Sequence, residues 1–391
     1  MTASTSGLPF RLQPDPPLTR TGGGRGRSGR LRRSRWRRPL GLVLLLLLLP
    51  VVVSYGRALT YPGRESVVVR TVEWVRDHGG APIVDAVENL YYTELNAPGG
   101  SGPAAGSIPT AVAAVPAPVP PIPTRAGLVP LPGEGRWQPG SPVHGHPSGL
   151  LTTFIRPDPR HPGVVAGVAR IDQDLLAIRL VPGTREPSGL GWPEGGKVPP
   201  GLVGSLVATF NSGWKMADAH GGFLADGRTA VALRDGAASI VVDKGGRSRI
   251  GEWGREVGPG PDVGAVRQNL DLVVDGGRIS DGLDGNPDGR WGSAHNQLQY
   301  TWRSGVGVDA RGDLIYVAGN QMNLAALAAA LVQAGAVEGM QLDIHPGMAN
   351  LFTYRHAGSG LTPAKLLPDM PSPTDRYLTA DQRDFFAVTA R

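Results

Sequence analysis

The chain has 391 residues, no cysteine and a formal net charge of +6. The basic excess belongs to one region, since residues 1–38 hold ten of the 39 Lys and Arg residues and one of the 33 Asp and Glu residues. The other 29 basic and 32 acidic residues make the remainder mildly acidic, which argues against a nucleic-acid-binding face. The lack of cysteine excludes disulfides, cysteine nucleophiles and thiolate metal sites.

The first two segments are predicted to be a disordered basic tail and a membrane anchor. Residues 1–38 are rich in Gly, Arg, Ser and Pro, a composition typical of disorder. Residues 39–55 form an apolar run close to the lower limit of about 17 residues for a spanning helix. A cleaved signal peptide and a buried core helix are the alternatives. Because arginines precede the run, we expect a single-pass protein of the cell membrane, with a cytoplasmic N-terminus and an extracytoplasmic main domain.

The next two segments, 60–96 and 97–149, are predicted to be helical and extended, respectively. Apolar residues at helical spacing indicate short amphipathic helices over 66–77 and 83–95, which could pack on the membrane or on the main domain. Residues 97–149 are rich in Pro, Gly and Ala and contain the run PAPVPPIP. This composition favours a linker or an extended strap.

Residues 150–391 are predicted to form one α+β domain with many short, mostly antiparallel strands. Short β-rich runs such as LLTTFI and SLVATFN are bounded by Pro and Gly, and three Asp-Gly pairs, at 226–227, 235–236 and 275–276, suggest hairpin turns. The strongest helix is LAALAAALVQA, with Asn323 as its cap and Gly335 at its end. We expect this helix to pack on the sheet and to form a β-α-β crossover between strands 314–318 and 340–344.

Four polar residues stand at predicted strand ends, where binding and catalytic groups are common. Asn211 ends the run LVATF, Arg303 begins RSGVGVD, Asp343 closes MQLD, and His345 follows two residues later. An arginine fork can hold a phosphate, a carboxylate can act as base, nucleophile or metal ligand, and a histidine can transfer a proton near neutral pH. Each residue also has a structural interpretation, as a turn former, a helix cap or a partner in an ion pair.

The tryptophans have two possible roles. Trp214, Trp253, Trp291 and Trp302 are more often core residues than platforms for stacking sugars, but exposed tryptophans would favour carbohydrate binding.

The order of the motifs FNSGWK, VRQNLDLVVDGG, WRSGVGVDARGDLIYVAG and GAVEGMQLDI resembles the bacterial branch of the phosphodiester glycosidase family, over about 205–355. The resemblance implies roles for Asn211 and Gly213 in a first turn, for Arg303 with Gly307 in a second strand, and for Asp343 in the last. Ile344 to Gly347 stand in place of the family's glycines and serine, which implies either a different substrate or a site that no longer catalyses.

The candidate catalytic residues are Asp343, Arg303, Asn211 and His345, of which the resemblance implies the first three and the position two residues after Asp343 suggests the fourth. The candidate substrate-binding residues are Gly213, Lys215, His220 and Asn350. A divalent metal is possible, but the sequence neither requires one nor assigns ligands to it.

The expected function is that of a membrane-anchored extracytoplasmic hydrolase, which cleaves a glycosyl phosphodiester in a surface or wall polysaccharide. The expected partners are a carbohydrate or sugar-phosphate polymer and the membrane, and no nucleic acid is expected. A non-catalytic polysaccharide-binding module or an envelope scaffold on the same fold is the alternative. The identity of the sugar and the oligomeric state cannot be predicted from the sequence.

Overall fold

The computed structural model describes residues 37–391 except 101, 111–118, 144–147, 188–190, 294–296 and 359, and it describes the side chains from residue 46 onward. The predicted tail 1–38 lies almost entirely outside these residues. The chain divides into two compact units, one up to Ser54 and the other from Tyr55 to Arg391.

The first unit contains most of helix α1, which spans Arg37–Thr60 and has Pro50 inside it. Its described side chains from Leu46 to Val53 are exposed. Within the part of the chain that the structure describes, no helix meets the length and hydropathy needed to cross a bilayer. The side chains of 39–45, the first half of the predicted anchor, lie outside the described residues.

The second unit contains the remaining elements. Its helices are α2 (Val67–Val75), α3 (Ala81–Asn89) and α4 (Leu324–Gln333). The first eight strands are β1 (Gln138–Pro139), β2 (Leu150–Ile155), β3 (Ala166–Ile171), β4 (Leu176–Val181), β5 (Leu206–Asn211), β6 (Phe223–Ala225), β7 (Arg228–Val231) and β8 (Ala238–Asp243). The others are β9 (Ser248–Glu252), β10 (Val263–Gln268), β11 (Leu272–Asp275), β12 (Arg278–Ile279), β13 (Thr301–Asp309), β14 (Leu314–Met322), β15 (Ala336–Ile344), β16 (Leu351–Ala357), β17 (Gly360–Lys365) and β18 (Phe385–Ala390).

Among the described residues, these strands form three sheets in which every paired strand is antiparallel to its neighbour. The largest sheet has the order β1-β2-β3-β14-β13-β15-β11-β12, and the others have the orders β7-β6-β10-β8-β9 and β17-β16-β5-β18-β4. The predicted α+β class with mostly antiparallel strands is confirmed.

The predicted β-α-β crossover is also present, but its two strands are not adjacent in the sheet. Strand β13 lies between β14 and β15 and is antiparallel to both, so β14 and β15 run parallel to each other and α4 connects them. The Asn323 side chain accepts a hydrogen bond from the Ala326 N–H (2.9 Å) and caps α4, while Gly335 has φ of 99° after its end. Gly305 on β13 lets α4 approach closely, since a Cβ there would lie 3.2 Å from Leu327 and Leu331.

Residues of the predicted linker cover the helix from the other side. Ile122 and Trp137 belong to the same buried cluster as α4, and the Trp137 indole N–H donates to the Pro120 carbonyl (2.8 Å). Gln333 at the end of α4 donates to the Pro123 carbonyl (2.9 Å). This part of 97–149 is therefore an extended strap that buries the very apolar α4.

Two of the three predicted Asp-Gly hairpins are confirmed. Asp226-Gly227 connects β6 to β7, and the residues after Asp275 connect β11 to β12, with positive φ at both corner positions of each turn. This is the geometry of tight two-residue hairpin turns. The prediction was wrong for Asp235-Gly236, because the strands on either side, β7 and β8, pair with β6 and β10 rather than with each other.

The helical segment that contains α2 and α3, residues 64–96, packs on the main body. The Tyr300 N–H donates to the Tyr92 carbonyl (2.9 Å), and the Asn96 side chain donates to the Tyr300 carbonyl (2.7 Å). Of the two positions open from the sequence, the membrane or the main domain, the structure places the segment against the domain.

A fully buried ion pair joins two of the sheets. Arg267 on β10 and Asp384 just before β18 have no exposed side-chain surface, and the Arg267 Nε donates to the Asp384 Oδ2 at 2.8 Å. Arg267 also donates to the carbonyls of Gln268 (2.6 Å) and Trp214. A buried cation requires such partners, because a lone charge away from water is very costly.

We expect Asp384→Asn to lower the free energy of unfolding by about 3–5 kcal/mol, because it leaves the Arg267 charge buried without a carboxylate. Urea denaturation followed by tryptophan fluorescence measures the change. The matched control is Asp275→Asn, which removes an ion pair with Arg255 whose side chains are 43% and 44% exposed. That change should cost less than about 1 kcal/mol. Equal losses in the two variants would contradict the assignment.

Candidate active site

A cleft with a volume of about 510 Å³ lies between the helical segment 64–96 and the main body. Its body side is formed by the end of β15 with the loop after it, the loop after β5, and residues near the start of β18. The polar residues that line the body side include Asp343, His345, Lys215, His220, Arg376 and Arg383. Four of these six, Asp343, His345, Lys215 and His220, were predicted from the sequence.

Asp343 is the buried carboxylate that the main body contributes to the cleft at the end of β15. One carboxylate oxygen accepts from the Ile344 N–H (2.8 Å), and the other accepts from the Arg383 guanidinium (2.9 Å). Burial raises its pKa to about 6 in spite of the opposing effect of Arg383. A carboxyl group with this pKa can gain and lose a proton near neutral pH, as a general acid or base must.

Arg383 was not predicted from the sequence. Its guanidinium donates to the Gly213 carbonyl (2.7 Å) and to Asp343, and lies 3.6 Å from the Glu73 carboxylate of α2. Arg383 lies two residues before β18, so its position beside a strand end is the sequence signal that could have identified it.

Asn211 lies behind Asp343 and does not line the cleft. Its amide N–H donates to the Ser304 hydroxyl (2.9 Å), and its carbonyl oxygen accepts from the Tyr316 hydroxyl (2.9 Å) and the Asn350 N–H (3.0 Å). Ser304 in turn contacts the backbone N–H and carbonyl of Asp343, both at 3.2 Å. The structure therefore places Asn211 behind Asp343 and outside the cleft, and its predicted catalytic role stays a prediction.

Arg303 is also buried outside the cleft, with no exposed surface. It donates to the carbonyls of Met322 (2.8 Å) and Gln299 (3.2 Å) and to the Gln341 side chain (3.0 Å). Burial lowers its pKa to about 9. Because these contacts direct the guanidinium into the protein, the structure does not bring Arg303 to the position of a bound phosphate.

His345 reaches the cleft from the loop after β15, with φ of 78°. Its ring lies 3.4 Å from the Glu88 carboxylate and 3.5 Å from the Thr301 hydroxyl. Burial, with Arg76 and Arg303 nearby, lowers its pKa to about 3. His345 is therefore neutral near pH 7, which does not favour the predicted proton transfer.

Of the four predicted substrate-binding residues, two line the cleft and two lie behind it. Lys215 and His220 line the cleft. The Gly213 carbonyl accepts the hydrogen bond from Arg383, while the buried Asn350 side chain donates to the carbonyls of Met348 (3.1 Å) and Gly347 (3.4 Å). Gly213 and Asn350 thus support the loops around the cleft.

The four tryptophans lie in the interior of the protein. Trp214, Trp253, Trp291 and Trp302 are at most 8% exposed, which confirms their interpretation as core residues. In the described parts of the chain, no group of three or more His, Asp or Glu side chains is arranged to hold a metal ion.

Acidic residues of the helical segment face basic residues of the body across the cleft. Lys215 lies 3.2 Å from Asp77 and 3.7 Å from Glu73, and Arg376 lies 3.4 Å from Glu65. At these three contacts the segment supplies the carboxylate and the body supplies the cation.

Comparison with known proteins gives weak resemblances at the level of the fold. No protein-family profile matches the chain, and no curated protein matches it. Among solved structures, the zebrafish N-acetylglucosamine-1-phosphodiester alpha-N-acetylglucosaminidase catalytic domain, auto-inhibited by its pro-peptide, is 15% identical with a TM-score of 0.38, over 66% of this chain and 88% of that chain. A hypothetical protein from Synechocystis is 17% identical (TM-score 0.27; 65% of this chain, 62% of that chain), and a protein from Burkholderia pseudomallei K96243 is 13% identical (TM-score 0.30; 63% and 75%).

The raised pKa of Asp343 predicts a pH-dependent stability. The folded-state pKa of about 6 exceeds the ordinary value of 3.8, so the folded protein binds this proton more tightly than the unfolded chain does. The resulting stabilisation is complete below pH 3.8 and is lost as the pH rises through about 6.

We therefore expect the free energy of unfolding of the wild type, relative to that of Asp343→Asn, to fall between about pH 4 and pH 6 and then to level off. Urea denaturation of both proteins at a series of pH values measures this difference. A difference that is independent of pH would show that Asp343 has an ordinary pKa.

Proposed function

We propose that the cleft hydrolyses a glycosyl phosphodiester, with Asp343 as the general base. The observation that carries this proposal is the buried Asp343 carboxylate in the cleft, whose pKa is raised to about 6 while a guanidinium holds it in place. The order of sequence motifs that resembles the phosphodiester glycosidase family supports the choice of substrate class.

In the proposed reaction, the ionised Asp343 accepts a proton from a water molecule as the water oxygen bonds to the anomeric carbon of the sugar. The bond between that carbon and the phosphate oxygen breaks, and its electron pair leaves with the phosphate monoester. A phosphate monoester is a stable anion, so its departure does not require a second protonated side chain. Arg383 and Lys215, which line the cleft, provide positive charge for it.

The proposed location is the outer face of the cell membrane, where the substrate would be a surface or wall polysaccharide. The support for this location is the arginine-rich sequence before the apolar run 39–55. The cleft belongs to the unit that follows this run, so an anchor at 39–55 would place the domain on the extracytoplasmic side.

We expect Asp343→Asn to reduce kcat/KM on a glycosyl phosphodiester, such as glucose 1-(methyl phosphate), by about 10²–10⁴-fold. The wild-type rate should rise with pH through about 6, as Asp343 loses its proton. Release of free sugar measures turnover. The matched control is Asp174→Asn, at a carboxylate that is 82% exposed, and it should leave the rate unchanged. His345→Gln should not move the midpoint of the pH profile, because His345 is already neutral.

Two results would contradict the proposed role of Asp343. One is wild-type turnover in Asp343→Asn, and the other is a wild-type rate that falls as the pH rises through about 6. Binding of wall polysaccharide by the wild type, without release of any product, would instead favour the non-catalytic binding module.

A further inference from the structure

Two cations of the main body converge on one carboxylate of the helical segment. Lys215 Nζ lies 3.7 Å from the Glu73 Oε1, and Arg383 Nη1 lies 3.6 Å from the same oxygen. Lys215 follows β5 and Arg383 precedes β18, so the two cations come from separate parts of the body. Their convergence creates a place where a single oxyanion receives two positive charges.

This place adjoins the proposed general base. The Arg383 guanidinium binds the Asp343 Oδ2 with one terminal nitrogen and approaches Glu73 with the other. An anion in the position of the Glu73 carboxylate would therefore contact the same Arg383 guanidinium that binds Asp343. Arginine forks bind carboxylates and phosphates by the same charge-assisted hydrogen bonds.

Helix α2, which carries Glu73, is held to the main body by other residues as well, since the buried Glu65 carboxylate just before the helix contacts Arg376 (3.4 Å) and Gln382 (3.1 Å). Arg70 is its buried residue, and the Arg70 guanidinium donates to backbone carbonyls of the preceding residues, including Gly63 (2.7 Å) and Leu59 (3.2 Å). Val67 and Val68 of the same helix are 63% and 71% exposed. The Glu73 side chain is 20% exposed and lies 3.7 Å and 3.6 Å from the two cations, so its carboxylate can leave them by side-chain rotation while the helix stays in place.

We infer that Lys215 and Arg383 form an oxyanion subsite that receives the phosphate group of the substrate, and that the Glu73 carboxylate fills this subsite in the structure. The inference rests on the proposed function for its choice of phosphate. It assigns the phosphate to Arg383 and Lys215, and not to Arg303. It also makes Glu73 an internal competitor that the substrate must displace.

The test measures phosphate binding and does not require turnover. The probe is inorganic phosphate, titrated calorimetrically into the full-length chain in mild detergent. Glu73→Gln should bind phosphate about tenfold more tightly than the wild type, because the subsite no longer has to be vacated. The matched control is Glu94→Gln, an exposed carboxylate of the same segment that does not line the cleft. This control should bind as the wild type does.

A second variant tests the cation directly. Lys215→Met in the Glu73→Gln background should weaken phosphate binding at least tenfold, whereas Lys197→Met, at an exposed lysine outside the cleft, should not change it. Circular dichroism and the thermal unfolding midpoint establish that each variant folds.

Three outcomes would overturn the subsite: unchanged or weaker phosphate binding in Glu73→Gln, no effect of Lys215→Met, or tighter binding of glucuronate than of phosphate in Glu73→Gln. Failure of the proposed function is distinguishable from these results. If the phosphate affinities change as expected but no glycosyl phosphodiester is hydrolysed, the subsite stands and the catalytic proposal fails.

Discussion

The guanidinium of Arg383 is the constraint on which the candidate site depends. It is buried, so it must be neutralised and hydrogen-bonded, and it meets this requirement with the Gly213 carbonyl, Asp343 and Glu73. These partners come from the loop after β5, the end of β15 and helix α2. The hydrogen bonds to Gly213 and Asp343 fix the loop after β5 relative to the end of β15, and they hold Asp343 in the cleft while burial keeps the pKa of that carboxyl high.

The elements that were predicted correctly are those with local physical signals. The cap at Asn323, the positive φ at Gly335 and the hairpin turns at Asp226-Gly227 and Gly276-Gly277 each follow from a few neighbouring residues. The crossover of α4 was predictable because the apolar helix lies between two apolar strands. The pairing around Asp235-Gly236 was not predictable from local residues, because β7 pairs with β6 and β8 pairs with β10, so the two flanking strands do not pair with each other.

The site was predicted only in part, for a different reason. A polar residue at the end of a strand can point toward the solvent, into a cleft or into the core, and fully buried strands such as β5 show no alternation that distinguishes these directions. Asn211 and Arg303 therefore looked equivalent to Asp343 in the sequence, although the structure directs them inward. Arg383 was missed because its importance comes from contacts with Asp343 and Glu73, which are remote from it in the chain.

The helical segment and its partners lie far apart in the order of synthesis. Glu65 precedes Arg376, whose guanidinium it contacts, by 311 residues. During translation, the acidic segment is therefore made long before Arg376 and Arg383, and all the strands except β18 are made in between. The cleft is one of the last features of the domain to acquire its charges, so a nascent chain that has not yet reached Arg383 has the Asp343 carboxylate but not the guanidinium that holds it.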